Sequence, residues 1–216
     1  MAGAGGFLAC HEGFHVKLSW ISERGLVVPH DNPAGLARRV LQVGFPEVED
    51  CAAAEGGVLV HLLPGHAPGA ALLKLLQTAG PTVDTAPARL VEIPVRYGGS
   101  DGPDLAELAA RAGMTEGAAV RLHSAAEYRV LFLGFQPGFA YLAGTPAVLA
   151  APRLTTPRAQ VPAGSLAIGG PYSGIYPGVS PGGWRIIGRT ERVLFDAGRE
   201  PAALLAPGDR VRFLPL

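Results

Sequence analysis

Between Gly134 and Gly183 the chain carries ten glycines and eight prolines, and the only charges in that stretch are Arg153 and Arg158. Proline removes a backbone donor and clashes inside helices, while glycine loses the most entropy there, so no long helix fits this segment. Its apolar residues, Phe135, Phe139, Leu142, Val161, Leu166, Ile168 and Ile175, equally exclude a floppy linker. The stretch therefore predicts short strands joined by shaped turns. With the strand-like segments on either side of it, it predicts a closed β-barrel or a sandwich.

Composition removes several function classes. Eighteen basic and eighteen acidic side chains cancel, which leaves no global field to draw nucleic acid or an anionic membrane. No apolar run is long enough to cross a bilayer. The opening Met1-Ala-Gly-Ala-Gly-Gly-Phe-Leu-Ala-Cys10 lacks the basic flank and the apolar length of a lipoprotein signal. Its two cysteines, Cys10 and Cys51, form neither a Cys-x-x-Cys pair nor a disulfide framework, which fits a reducing compartment. The expectation is a soluble cytoplasmic protein with no nucleic-acid or membrane partner.

The first 90 residues read differently from the rest. His15–Trp20 alternates as a strand, Asn32-Pro33 opens a helix through Val43, and Val48–Ala53 and Val58–Leu63 flank a Glu55-Gly56-Gly57 turn. Pro68–Gln77 reads as a second helix and Ala88–Val95 as a closing strand. The order strand, helix, strand, strand, helix, strand predicts a ferredoxin-like domain over residues 1–90. Over residues 91–216, helices are expected at Asp104–Ala112 and Thr115–His123, the latter capped by Thr115. Glu127–Phe135 and Arg210–Leu214 read as strands. The fold class expected is thus α+β, with a barrel or sandwich in the second domain.

Two short motifs match by letter and fail on context. His11-Glu12-Gly13-Phe14-His15 has the zinc spacing, but that chemistry needs both histidines on one helical face, and Gly13 followed by a strand pattern argues against a helix. Gly178-Val179-Ser180-Pro181-Gly182 has the nucleophile-elbow spacing, yet Pro181 lacks the N–H an oxyanion would need. No metal is expected in this chain. No dinucleotide fingerprint and no Walker A sequence occurs.

Other residues carry more chemistry. Arginine's fixed fork suits carboxylates and phosphates. Arg153, Arg158, Arg185 and Arg189 therefore either line an anion-binding groove, or are solvated or pair with acids elsewhere in the fold. His123, with an ordinary pKa near neutrality, is the candidate acid or base. The aromatics Phe135, Phe139, Tyr141, Tyr172, Tyr176 and Trp184 either floor a groove or fill the barrel, and for the phenylalanines the barrel is preferred.

Read together, Glu127-Tyr-Arg-Val-Leu-Phe-Leu-Gly-Phe-Gln-Pro-Gly-Phe-Ala-Tyr-Leu142, Thr156-Pro-Arg158, Val161-Pro-Ala-Gly-Ser165, Gly174-Ile-Tyr-Pro177, Ser180-Pro-Gly-Gly-Trp184 and Ile187-Gly-Arg-Thr190 resemble the 5-oxoprolinase B-subunit family, also called the Kip-inhibitor or allophanate-hydrolase-subunit-1-like family. The resemblance is strong from about residue 92 onward. It implies a cyclophilin-like β-barrel behind the ferredoxin-like domain. It also implies an ATP-dependent opening of 5-oxoproline to glutamate, with ATP and Mg held by a complex. That complex would include a homologous cyclophilin-like C subunit and an A subunit. Alternatives within the same resemblance are an inhibitor that docks on a sensor histidine kinase and an allophanate-hydrolase-like amide hydrolase component. Carried over residue by residue, His123 would be catalytic, and Arg158, Ser165, Tyr176, Ser180 and Trp184 would bind substrate. The chain departs from the family pattern at Ala140, at Tyr172-Ser173 and at Val179, where proline, Gln-Thr and an acid are usual.

Overall fold

The computed structural model describes residues 18–78 and 88–216. These fall into two compact units that divide between the second helix and the fifth strand, with Ala53–Glu55 counted in the second unit.

The first unit runs β1 (Ser19–Trp20), β2 (Gly25–Pro29), α1 (Pro33–Val43), β3 (Val48–Ala54), β4 (Gly57–Leu62) and α2 (Ala70–Thr78), with sheet order β1-β2-β4-β3. Asn32 caps α1 by accepting from Gly35 N at 3.1 Å, and Pro33 occupies the first turn, where no donor is needed. Gly44 ends the helix in the left-handed conformation. Ala34, Leu36, Ala37 and Val40 form the buried stripe of α1, and Leu72 and Leu76 that of α2.

One expectation is corrected here. The strand expected to close a ferredoxin-like sheet forms, as β5 (Leu90–Tyr97), but it belongs to the barrel of the second unit. Its alternation buries Val91, Ile93 and Val95 as a sheet strand should, and both of its edges are taken by barrel strands. Alternation reports that a segment is extended. It carries no information about which sheet edge accepts it. The ferredoxin-like order is therefore absent from the described first unit, whose fourth strand is the short β1.

The second unit continues with α3 (Leu105–Arg111), α4 (Glu116–Ala125), β6 (Tyr128–Leu133), β7 (Ala140–Ala143), a 3-10 turn at Ala147–Leu149, β8 (Arg158–Val161), β9 (Ser165–Gly169), β10 (Tyr172–Ile175), β11 (Ser180–Gly182), β12 (Arg185–Arg189) and β13 (Arg210–Pro215). Seven strands close into a barrel in the order β10-β7-β6-β13-β5-β12-β9, while β8 and β11 form a separate two-stranded sheet. Closure removes open sheet edges. The pair β5–β13 is parallel, in register from Leu90 opposite Arg210 to Val95 opposite Pro215, and the other barrel pairings are antiparallel.

Two apolar clusters occupy opposite faces of the barrel wall. Ile93, Val95, Tyr128, Val130, Leu142, Leu166, Ile168, Ile187, Val211 and Phe213 fill one, together with Leu105 and Leu108 of α3 and Ala119 of α4. Phe139, Val161, Ala167, Tyr176, Trp184 and Ile186 form the other. The period of two explains the split, since Leu166 and Ile168 face one side of β9 and Ala167 the other. Thr115 caps α4 as expected, accepting from Ala118 N at 3.2 Å.

Candidate functional site

The second cluster is an aromatic face. Trp184 follows two glycines and lies across β9 at Gly169, where a Cβ would run into the indole. Its ring meets Phe139 at 5.3 Å and Tyr141 at 5.5 Å between centroids, both edge-to-face. Tyr176 meets Phe139 at 5.3 Å in the same manner. Such pairs add to the burial energy of the rings and fix their orientation. Burial raises the pKa of the Tyr176 hydroxyl. The Arg153 guanidinium carbon lies 6.0 Å from the centroid of the Trp184 ring.

Arg158 stands beside this face on β8, opposite Gly182 of β11. Its Nη2 donates to Asp104 Oδ1 at 2.7 Å, and Asp104 Oδ2 accepts from Ile186 N at 2.7 Å. Asp104 is thereby fixed at both oxygens. Arg158 Nη1 is buried and has no hydrogen-bond acceptor among the described residues. A buried donor left unpaired is costly, so an orphan of this kind is a feature that calls for an acceptor.

Ser180 lies on β11 opposite Val161, and Gln136 Nε2 donates to its Oγ at 3.4 Å. No helix follows it, so the elbow spacing is a coincidence of letters. Ser165 begins β9, is 2% exposed, and lies opposite Arg189. Its carbonyl accepts from Tyr176 N at 2.9 Å.

Ser165 thus lies at the end of β9 away from Trp184. His123 is set apart from Arg158, Tyr176, Ser180 and Trp184. It is 1% exposed at the end of α4 and packs in the first cluster, with ring centroids 5.0 Å from Tyr128 and 5.1 Å from Phe213. Nδ1 lies 2.9 Å from Tyr97 Oη and Nε2 lies 3.2 Å from Ser173 Oγ, which in turn is 2.8 Å from Thr145 Oγ1. Burial lowers its pKa to about 3, so the ring is neutral. The geometry makes it a buried hydrogen-bond hub. A group with both nitrogens engaged and a pKa this low is a poor proton shuttle.

The four arginines resolve differently. Arg158 pairs with Asp104, and Arg185 Nη1 pairs with Glu107 Oε2 at 2.5 Å. Both acids lie outside the acid-free stretch, as the second of the two expectations had it. Asp104 is a site residue that no sequence motif singles out, and Gln136 lies within the quoted Glu127–Leu142 stretch without a role assigned to it there. The signal for Asp104 is the need of a semi-buried arginine for an acid from another segment. The His11–His15 motif lies outside the described residues. Among the described residues no three His, Cys, Asp or Glu side chains cluster as metal ligands would, and no helix is long and apolar enough to cross a membrane.

Comparison with known proteins gives a consistent result. Over 128 residues, 59% of this chain and 59% of the relative, the sequence is 56% identical to the 5-oxoprolinase B subunit of Escherichia coli O157:H7. It is 48% identical over 126 residues to the protein of the same name in Haemophilus influenzae, again over 59% of the relative. The match thus spans well under two thirds of these relatives' length. Among solved structures, TTHA0988 shares 39% identity with a TM-score of 0.77 across 89% of this chain and 40% of that one. The model of the carboxyltransferase domain, subdomain C and D, matches residues 24–205. With that match, the barrel and its relatives agree: the chain belongs to the family of the carboxyltransferase domain, subdomain C and D, which includes the allophanate hydrolase subunit 1 proteins.

Proposed function

We propose that this chain is the B subunit of a cytoplasmic, ATP-dependent 5-oxoprolinase complex that opens the 5-oxoproline lactam to glutamate. The observation that carries this reading is the 56% identity to a relative of that name. The buried, unpaired Nη1 of Arg158 supports it, because a substrate carboxylate or carbonyl oxygen supplies the acceptor that the protein leaves out. Asp104 holds the guanidinium in place beforehand, so little ordering is needed when substrate arrives. Tyr176 and Trp184 are buried in the aromatic cluster and brace this site from behind, while Ser180, on the strand paired with β8, offers a part-exposed hydroxyl.

The N-termini of α3 and α4 do not suit a phosphate. The first turns of α3 and α4 carry Glu107 and Glu116, which oppose a phosphate at either N-terminus. In this reading ATP and its Mg are held by the complex, and no step is routed through them here. The chain alone is inactive in this reading. Cys51, a buried free thiol with its pKa pushed up to about 12 by burial, is suited to a reducing cytoplasm.

The test is 5-oxoproline-dependent ADP release by the complex purified with its native partners. Arg158→Lys keeps a charge for Asp104 and loses the second fork donor, and it should lower turnover at least tenfold while the protein stays folded and assembled. Unchanged turnover would sink the assignment of this site.

A second reading is favoured by Phe135 and Val179, which are 61% and 66% exposed on loops linked through Gln136 and Ser180. An exposed apolar edge suits a protein partner. In this reading the chain is an inhibitor of a sensor histidine kinase, and slowed autophosphorylation on its addition is the required result.

A further inference from the structure

A cavity of about 460 Å³ opens where the turn before β9 meets the end of β12 and the adjoining strand β5. Its size falls in the range of about 300–1,000 Å³ usual for small-molecule sites. In the sheet, Arg189 of β12 lies opposite Arg96 of β5 on one side and Ser165 of β9 on the other. Like charges directly opposite each other are unfavourable unless they are compensated.

Only one of the two arginines is compensated. Arg96 donates to Asp101 Oδ2 at 2.9 Å and to Glu191 Oε1 at 2.8 Å, so Glu191, which also lines the cavity, is held toward Arg96. Arg189 is anchored through Nε to the Ala163 carbonyl at 3.2 Å and has no carboxylate partner among the described residues. The carbonyl is set by Gly164, which at φ +81° sits so close to the Thr190 carbonyl that no Cβ fits. Arg192, on the rim, has no carboxylate partner among the described residues either. Three cations, Arg96, Arg189 and Arg192, therefore face two acids, Asp101 and Glu191, which leaves a net charge of +1 at a cavity that is open to solvent and also lined by Thr190, Pro177 and Val193.

We infer that this cavity binds the oxyanion, carboxylate or phosphate, of a small metabolite. The anchored Arg189 supplies a planar fork fixed in advance, and Arg192 supplies a second cation from the rim. The place is distinct from the Arg158 site, since Ser165 and Gly169 lie at opposite ends of β9. The inference does not depend on the oxoprolinase reading.

The experiment is calorimetric titration of the full chain with inorganic phosphate and, separately, with L-5-oxoproline, at low and raised NaCl. At least one probe should bind at a single site that weakens with salt. Arg189→Gln and Arg192→Gln should each weaken that binding about tenfold or more, while Arg185→Gln, whose arginine pairs with Glu107, should not. If Arg189→Gln does not fold, Arg192→Gln on the exposed rim decides the question. Binding of phosphate alone identifies a phosphate ligand, and binding of 5-oxoproline alone a carboxylate. No binding of either probe, or binding untouched by the variants that fold, overturns the inference. Neither outcome depends on turnover of the complex, so it stands or falls separately from the proposed function.

Discussion

Asp104 and Arg158, 54 residues apart in sequence, are joined at 2.7 Å, and the other oxygen of Asp104 holds Ile186 N at 2.7 Å. One carboxylate thus ties the start of α3 to β8 and to β12. Asp104 is 6% exposed, so removing it strands both a guanidinium and a backbone N–H. Asp104→Ala should cost about 3 kcal/mol, as breaking a buried pair on one side does. Asp104→Asn should cost less, because its amide oxygen still accepts from Ile186. Urea unfolding of the two variants checks both size and order.

His123 makes stability depend on pH. Its folded pKa, about 3, lies below the ordinary 6.5. The unfolded chain therefore takes the proton first. The stabilising contribution is complete above about pH 6.5 and is lost as pH falls from there toward 3, with a slope of up to about 1.4 kcal/mol per pH unit. Tyr97 and Tyr128, the titratable groups facing the ring, both have pKa values raised by burial and keep their protons throughout. His123→Gln should flatten this part of the profile. Parallel profiles for variant and parent, measured by chemical unfolding from pH 7 to 4.5, would count against the buried neutral ring.

Gly169 makes room for the Trp184 indole. Gly169→Ala should destabilise by about 1–3 kcal/mol, the usual result of overpacking, since the methyl meets a ring already fixed by Phe139 and Tyr141. The drop in Tm should come with altered tryptophan fluorescence.

Phe135 adopts φ +71° with its side chain largely exposed. A Cβ in this conformation costs roughly 1–2 kcal/mol. Phe135→Gly and Phe135→Ala both remove the ring, but only the alanine variant keeps the Cβ. The glycine variant should be the more stable of the two by about 1 kcal/mol, after glycine's extra unfolded-state entropy is subtracted. Equal Tm values for the pair would contradict this account.

Local chemistry was legible in the sequence wherever a residue acts on its own neighbours. Asn32-Pro33 reads as a helix start and Thr115 as a cap, and both side chains accept from the first turn of their helices. The strands Tyr128–Leu133 and Arg210–Pro215 form within residues of the expected limits. Pairings over long distances left no local trace. β5 finds a partner about 120 residues later, and Arg158 finds its acid on a helix that reads as ordinarily amphipathic. His123 reads as a candidate acid or base because the identity of a histidine says nothing of its burial. Only the packing of Tyr97, Tyr128 and Phe213 around it decides its charge.

The parallel pairing of β13 with β5 has a consequence during synthesis. β13 is the stave between β5 and β6, so a nascent chain that has not yet released Arg210–Pro215 from the ribosome carries a gapped cylinder with two bare strand margins. Unpaired margins recruit strands from other chains. Folding of this unit therefore completes only after translation has passed its last strand, at the slow pace of distant contacts, and crowded polysomes are where it is most exposed to mispairing.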